Sequence, residues 1–205
     1  MAEPVNLVAE FGEGWCVTVV RGRAPDAVLT VMGAAPGSVG AADPGEVPFG
    51  VMDREMVLAR ALPGLGWTLV VEFDGPTGFL GWQPETLAVL SSGGGAACVA
   101  TYLPNVQEVR YAEDGDLVAV TYPLSSYRRW GSDPDRFTGQ MRDLGFPLGD
   151  YDEFIGVAKG LPAGPLCMLL MEVMTGVRLD LSHFAGPWLG GMVRFDESGT
   201  VTRFE

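Results

Sequence analysis

The sequence predicts an α+β fold: a mostly antiparallel sheet with a central meander, helices packed on one face and a C-terminal hairpin. Three observations lead there. Apolar runs are short, six to eight residues, and are bounded by turn residues. Helical segments open on proline and close on glycine. The 29 glycines and 15 prolines in 205 residues demand many turns and exclude a helical bundle. Area scaling buries about 70% of the unfolded surface at this length, enough for one core without disulfides or a structural metal. We read residues 1–205 as a single domain, with 34–48 as a mobile loop and 146–205 as a helical and hairpin C-terminal subregion.

The elements follow in order. Trp15 to Val20 is an apolar strand ended by Arg21-Gly22-Arg23. Pro25 opens a helix to Met32, with Gly33 as its cap. Residues 34–48 are rich in Ala, Gly and Pro and read as the loop. Arg54 to Ala61 reads as a helix, because its residues are helix formers. Trp67 to Phe73 is almost continuously apolar and belongs in the centre of the sheet. A loop over Asp74 to Gly81 leads to a short helix from Pro84 to Leu90, stopped by Gly93-Gly94-Gly95. Ala97 to Leu103, Val106 to Tyr111 and Leu117 to Tyr122 form a meander, turned by Pro104-Asn105 and by Asp114-Gly115. Asp133-Pro134 opens a helix to Leu144, and Pro165 opens another to Thr175. Leu179 to Phe184 adds a helical turn. Met192 to Phe195 and Val201 to Phe204 form the terminal hairpin.

The formal net charge is −13, with 26 acidic and 13 basic residues. Such a surface repels phosphate backbones and anionic lipid, so neither nucleic acid nor membrane is an expected partner. A basic protein partner suits it. Lys159 is the one lysine beside twelve arginines, the codon bias of a GC-rich genome. Cys16, Cys98 and Cys167 are odd in number and sit in apolar runs, so they read as reduced core residues of a cytoplasmic protein. No basic-then-apolar leader opens the chain, and no apolar run approaches the roughly 18 residues of a membrane span.

The chemistry that the sequence offers is sparse. His183 is the single histidine, which rules out a two-histidine metal site and leaves a triad without separated partners. No glycine motif stands between a strand and a helix as phosphate binding requires. No cofactor, metal or catalytic residue is assigned. The acidic clusters Glu113-Asp114-Gly115-Asp116 and Asp150-Tyr151-Asp152-Glu153 read as solvated turns. Met168, Met171 and Met174 read as core packing. Glu72, at the end of an apolar strand, reads first as a carboxylate paired with an arginine and second as a catalytic group. The candidate ligand-binding set is Arg21, Glu72, Trp82, Tyr122, Arg128, Arg129 and Trp130. Arginines, aromatic rings and helix starts at strand ends would attract an anion if those ends share one edge. The competing reading pairs these arginines with surface acids.

Trp15 to Gly22 with its proline-started helix, Gly66 to Glu72, Tyr111 to Gly115, Arg129 to Arg136 and Thr175 to Leu179 together resemble a family of actinobacterial proteins known only as a domain of unknown function. The resemblance covers roughly residues 12–195, and the loop Phe73 to Gln83 looks longer than in that family. It implies a cytosolic actinobacterial protein and carries over no catalytic residue. The expected function is a non-catalytic acidic interaction protein that binds a basic protein partner, by analogy with toxin-immunity proteins. Two alternatives stay open: a small-molecule binder or enzyme with an arginine/aromatic anion pocket, and a structural subunit of a larger assembly. Oligomeric state is not readable from the sequence.

Overall fold

A computed structural model describes residues 4–44, 54–73, 79–149, 152–196 and 200–201. Among the described residues, seven of the nine strands are β1 (Trp15–Arg21), β3 (Arg54–Leu62), β4 (Trp67–Phe73), β5 (Ala96–Leu103), β6 (Val106–Glu113), β7 (Asp116–Thr121) and β9 (Trp188–Arg194). β2 (Gly40–Ala42) and β8 (Arg129–Trp130) are short edge strands. All pair antiparallel in one sheet of order β2-β9-β3-β4-β1-β5-β6-β7-β8. The fold class is therefore α+β; β5 to β7 form the expected meander, and β8 extends it by one short strand. β1 lies at the centre, between β4 and β5.

The strand faces explain the layers. In β1, Trp15, Val17 and Val19 enter one core, while Cys16 and Val20 enter another. The first core is covered by α5 (Ala163–Thr175), which packs on β5 and β6, with α1 (Leu7–Phe11), α4 (Thr138–Leu144) and α6 (Leu181–Phe184) around it. The second lies beneath α2 (Pro25–Val31) and α3 (Pro84–Ser91). Helices thus cover both faces, where the sequence suggested one. The continuous apolar character of β1 and β4 is the signature of a strand buried on both sides. α5 buries Leu166, Leu169, Leu170 and Met171, and also Met168 and Met174, each nearly water-free. Every such side chain contributes roughly 1.5–3 kcal/mol relative to exposure.

Three elements correct the sequence reading. Arg54 to Ala61 is not a helix but most of β3, held on both edges by β4 and β9. Its two-residue period is real: Val57 and Ala59 face the α2/α3 core, Leu58 and Leu62 the α5 core. Helix propensity, worth only tenths of a kcal/mol per residue, yields to that pairing. The loop read over 34–48 contains β2, and Ala34 bridges Val193; its residues 45–48 lie outside the described residues. The helix expected from Asp133 starts at Thr138, because the Asp133 and Asp135 side chains bind Arg136 and Arg129 instead of capping.

The β6–β7 turn uses Asp114 at φ 50° and Gly115 at φ 86°, the left-handed pair that a two-residue hairpin requires. Phe195 bridges Val201, and the Asp196 N–H donates to the Thr200 carbonyl at 2.9 Å, which begins the terminal hairpin. Residues 202–204 of its second strand lie outside the described residues.

Candidate functional site

A polar row crosses the sheet beneath the α3 side. Strand register places Glu72 of β4 opposite Cys16 of β1, Cys16 opposite Thr101 of β5, and Thr101 opposite Glu108 of β6. Side chains in register point to one face, so four polar groups line up across four strands. Thr18 and Arg110 stand two residues along β1 and β6 on that face. Glu72, Cys16, Thr18 and Thr101 are fully buried, and Glu108 and Arg110 nearly so.

Glu72 is the chemical centre of the row. Its carboxylate accepts from the Leu80 N–H at 2.5 Å and the Gly81 N–H at 3.0 Å, and the Cys16 thiol also bonds to it. The expected arginine partner is corrected: two backbone amides hold this carboxylate. Burial pushes its pKa up to about 7, against the lowering effect of the Gly81 and Leu80 amides and of Cys16. The Cys16 thiol is held well above the ordinary thiol value, first by burial and then by the Glu72 charge. It stays protonated and is a poor nucleophile. Cys98 and Cys167 are likewise buried and unpaired.

Gly81 is where the connecting segment meets the row. A Cβ there would come within 2.3 Å of Thr18 Oγ1 and 2.8 Å of Glu72 Oε2, so only glycine allows this approach. Trp82 follows. Its Nε1–H donates to Glu108 Oε1 at 2.9 Å, and its ring lies 4.8 Å from the Arg110 guanidinium. Arg110 bonds to both Glu108 and the Trp82 carbonyl. Phe79, Leu80, Gly81 and Trp82 are thereby fastened over the sheet.

The seven residues selected from sequence occupy three places. Glu72 and Trp82 flank Gly81 on the polar row. Arg21 sits at the other end of β1, opposite Trp67, about 17 Å along the strand from Cys16. It is 45% exposed, pairs with Glu113 at 3.3 Å and lies 5.8 Å from the Trp67 ring. Tyr122, Arg128, Arg129 and Trp130 lie at the β7–β8 edge, with β1, β5 and β6 between β7 and β4. There Arg128 stacks over Tyr122 at 5.7 Å, and Trp130 is exposed. Arg129 pairs with Asp135 at 2.6 Å and donates to the carbonyls of Ser126, Tyr127 and Leu148. No single concavity gathers the seven.

Sequence reasoning missed Cys16 as a neighbour of Glu72, and it missed Thr18, Gly81, Thr101, Glu108 and Arg110. The available signal was a set of polar residues two apart inside strands, at 16/18 and 108/110; their alignment depends on register. His183 caps α6: its Nδ1 accepts from the Asp180 N–H at 3.1 Å, while Asp180 accepts from the Ser182 N–H at 2.9 Å. Among the described residues no group of three or more His, Cys, Asp and Glu side chains is placed to hold a metal ion, and no helix is long and apolar enough to cross a membrane.

None of the curated proteins and none of the solved structures matches this chain. The model of a family of unknown function, DUF6461, matches residues 5–187, from α1 to the start of β9, and so takes in the polar row, Gly81 and the whole meander. The chain belongs to that family.

Proposed function

We propose that this is a non-catalytic interaction protein whose acidic surface binds a basic protein partner, in the manner of a toxin-immunity protein. The observation that carries the reading is where the positive charge goes. Arg21, Arg110, Arg129, Arg136 and Arg178 each pair with a carboxylate of the chain itself, and Arg23 bonds the Val89, Leu90 and Ser92 carbonyls at the end of α3. Glu55, Glu72 and Glu108 are buried, and the rest of the acidic excess behind the formal net charge of −13 is left for the surface. Glu10, Glu13, Asp26, Glu85, Asp143 and Glu153 are exposed carboxylates with no partner among the described residues. Such a field speeds the encounter with a cationic protein and weakens with salt. The buried row supports the same reading, since its thiol is protonated and its carboxyl is enclosed by the chain's own backbone. The arginine bias and the reduced cysteines fit a cytoplasmic protein of actinobacterial origin.

The test is affinity capture from the native lysate at low and high salt, followed by binding of the purified candidate. The expected result is a basic protein whose affinity falls steeply between about 50 and 500 mM salt, across which the screening length shrinks severalfold. A partner whose affinity ignores salt, or capture of a bound metabolite with no protein, overturns the proposal.

A further inference from the structure

We propose that the groove between α1 and α6 is the docking site for a basic, apolar-flanked segment of the partner protein. This rests on the interaction reading above and says where on the molecule that interaction takes place.

The groove has a volume of about 560 Å³. Val5, Ala9 and Leu181 give it apolar walls, and Glu10 and Asp180 supply a carboxylate from each side. Among the described residues no lysine or arginine lines it. Leu181 is 49% exposed, one of few large apolar side chains on the surface. Glu10 is exposed and has no partner among the described residues. The Asp180 carboxylate is kept ionised, its pKa lowered first by the Ser182 hydroxyl, then by the Ser182 amide and by His183, against the opposing effect of burial. The same bonds to Ser182 fix its position, so one of the two charges is pre-organised.

Two carboxylates over an apolar floor select one kind of occupant. A neutral apolar segment would leave both charges facing it, and an anionic one would be repelled. An arginine or lysine beside a leucine-like side chain satisfies both features, because the aliphatic stem and its neighbour cover Leu181 and Ala9 while the cation meets Glu10 and Asp180. The groove lies on the α5 side of the sheet, where Leu7 and Phe184 anchor its two helices in the core. Glu85 of α3 is also an unpaired carboxylate, but it stands on the opposite face and so provides a control for charge alone.

The experiment titrates the full chain with a blocked nonapeptide of alternating arginine and leucine, following backbone amide shifts at two salt concentrations. Shifts at Ala9, Leu181 and Ser182 are expected. They should weaken roughly tenfold in affinity in the Glu10→Arg/Leu181→Asn double variant and stay unchanged in Glu85→Arg. Thermal melts confirm that each variant is folded. Shifts spread evenly over both faces, equal loss in Glu85→Arg, or no binding overturn the assignment. The two proposals separate cleanly: if the lysate partner binds the double variant as tightly as the wild type, the groove fails while the interaction reading stands. If no salt-sensitive basic partner exists, the interaction reading fails.

Discussion

The two faces of the sheet are built from the same strands and held by different physics. On the α5 face, β1 presents Trp15, Val17 and Val19 to a helix of leucines and methionines. On the other face the alternate positions of the same strand are Cys16, Thr18 and Val20, and beside the apolar residues under α2 and α3 the neighbouring strands add Glu72, Thr101, Glu108 and Arg110. The α5 face is held chiefly by volume and area. The polar face needs geometry, because each buried polar group costs free energy unless a partner stands at hydrogen-bond distance. That is why a glycine at 81 and the amides of Leu80 and Gly81 are part of the sheet's stability although they lie outside it.

The largest effect belongs to the apolar face. Leu169→Ala should cost about 3 kcal/mol in urea unfolding, from lost burial and the cavity left behind. A loss under about 1 kcal/mol would mean that α5 is not the main clamp. The next effect is peculiar to the polar face and depends on pH. The Glu72 pKa is about 7 in the folded chain against 4.5 for a free glutamate, so the folded state binds the proton more tightly. Its contribution to stability is complete below about pH 4.5 and is lost as pH rises through 7, a change of roughly 3 kcal/mol. Glu72→Gln should flatten that part of the profile, and the wild-type-minus-variant difference isolates it from other titrations. Parallel pH profiles of the two proteins would show that burial does not govern Glu72.

Gly81→Ala comes third, at about 2 kcal/mol, because its Cβ would meet Thr18 Oγ1 and Glu72 Oε2. Thr18→Ala removes the closer of these atoms. In that background the same substitution should cost about 1 kcal/mol less, a coupling that a double-mutant cycle reads directly. Additive costs would place the strain elsewhere on the segment.

These contrasts also show what a sequence can disclose. β1, β4 and the meander were legible because their apolar runs and the Asp114-Gly115 turn are local signals. β3 was not: its Arg, Glu, Met, Leu and Ala residues favour a helix in isolation, and only β4 and β9 on either side make it a strand. Glu72 was legible as a conspicuous carboxylate at the end of an apolar strand, though the arginine expected beside it is not there. Its partners were not, because two of them are backbone amides, which every residue has, and the third is a thiol brought alongside by register. Glu108 and Arg110 escaped notice for the same reason, since an acid and a base two residues apart become a buried pair only when the strand face is known.

The smallest effects separate the arginines that the sequence grouped together. Arg129 sits 18% exposed, bonded to Asp135 and to three carbonyls that would lose their donor on truncation, so Arg129→Ala should cost about 1–2 kcal/mol. Arg21 is 45% exposed, and its partner Glu113 is also held by Arg136 at 2.7 Å, so Arg21→Ala should change stability by less than about 0.5 kcal/mol. A residue that is dispensable for stability and sits on the surface is free to serve binding, whereas one that ties three loop carbonyls together is not. If thermal melts rank the two in the opposite order, the exposed pair is the structural one, and the β7–β8 edge with Arg128, Tyr122 and Trp130 becomes the surface to test for a partner.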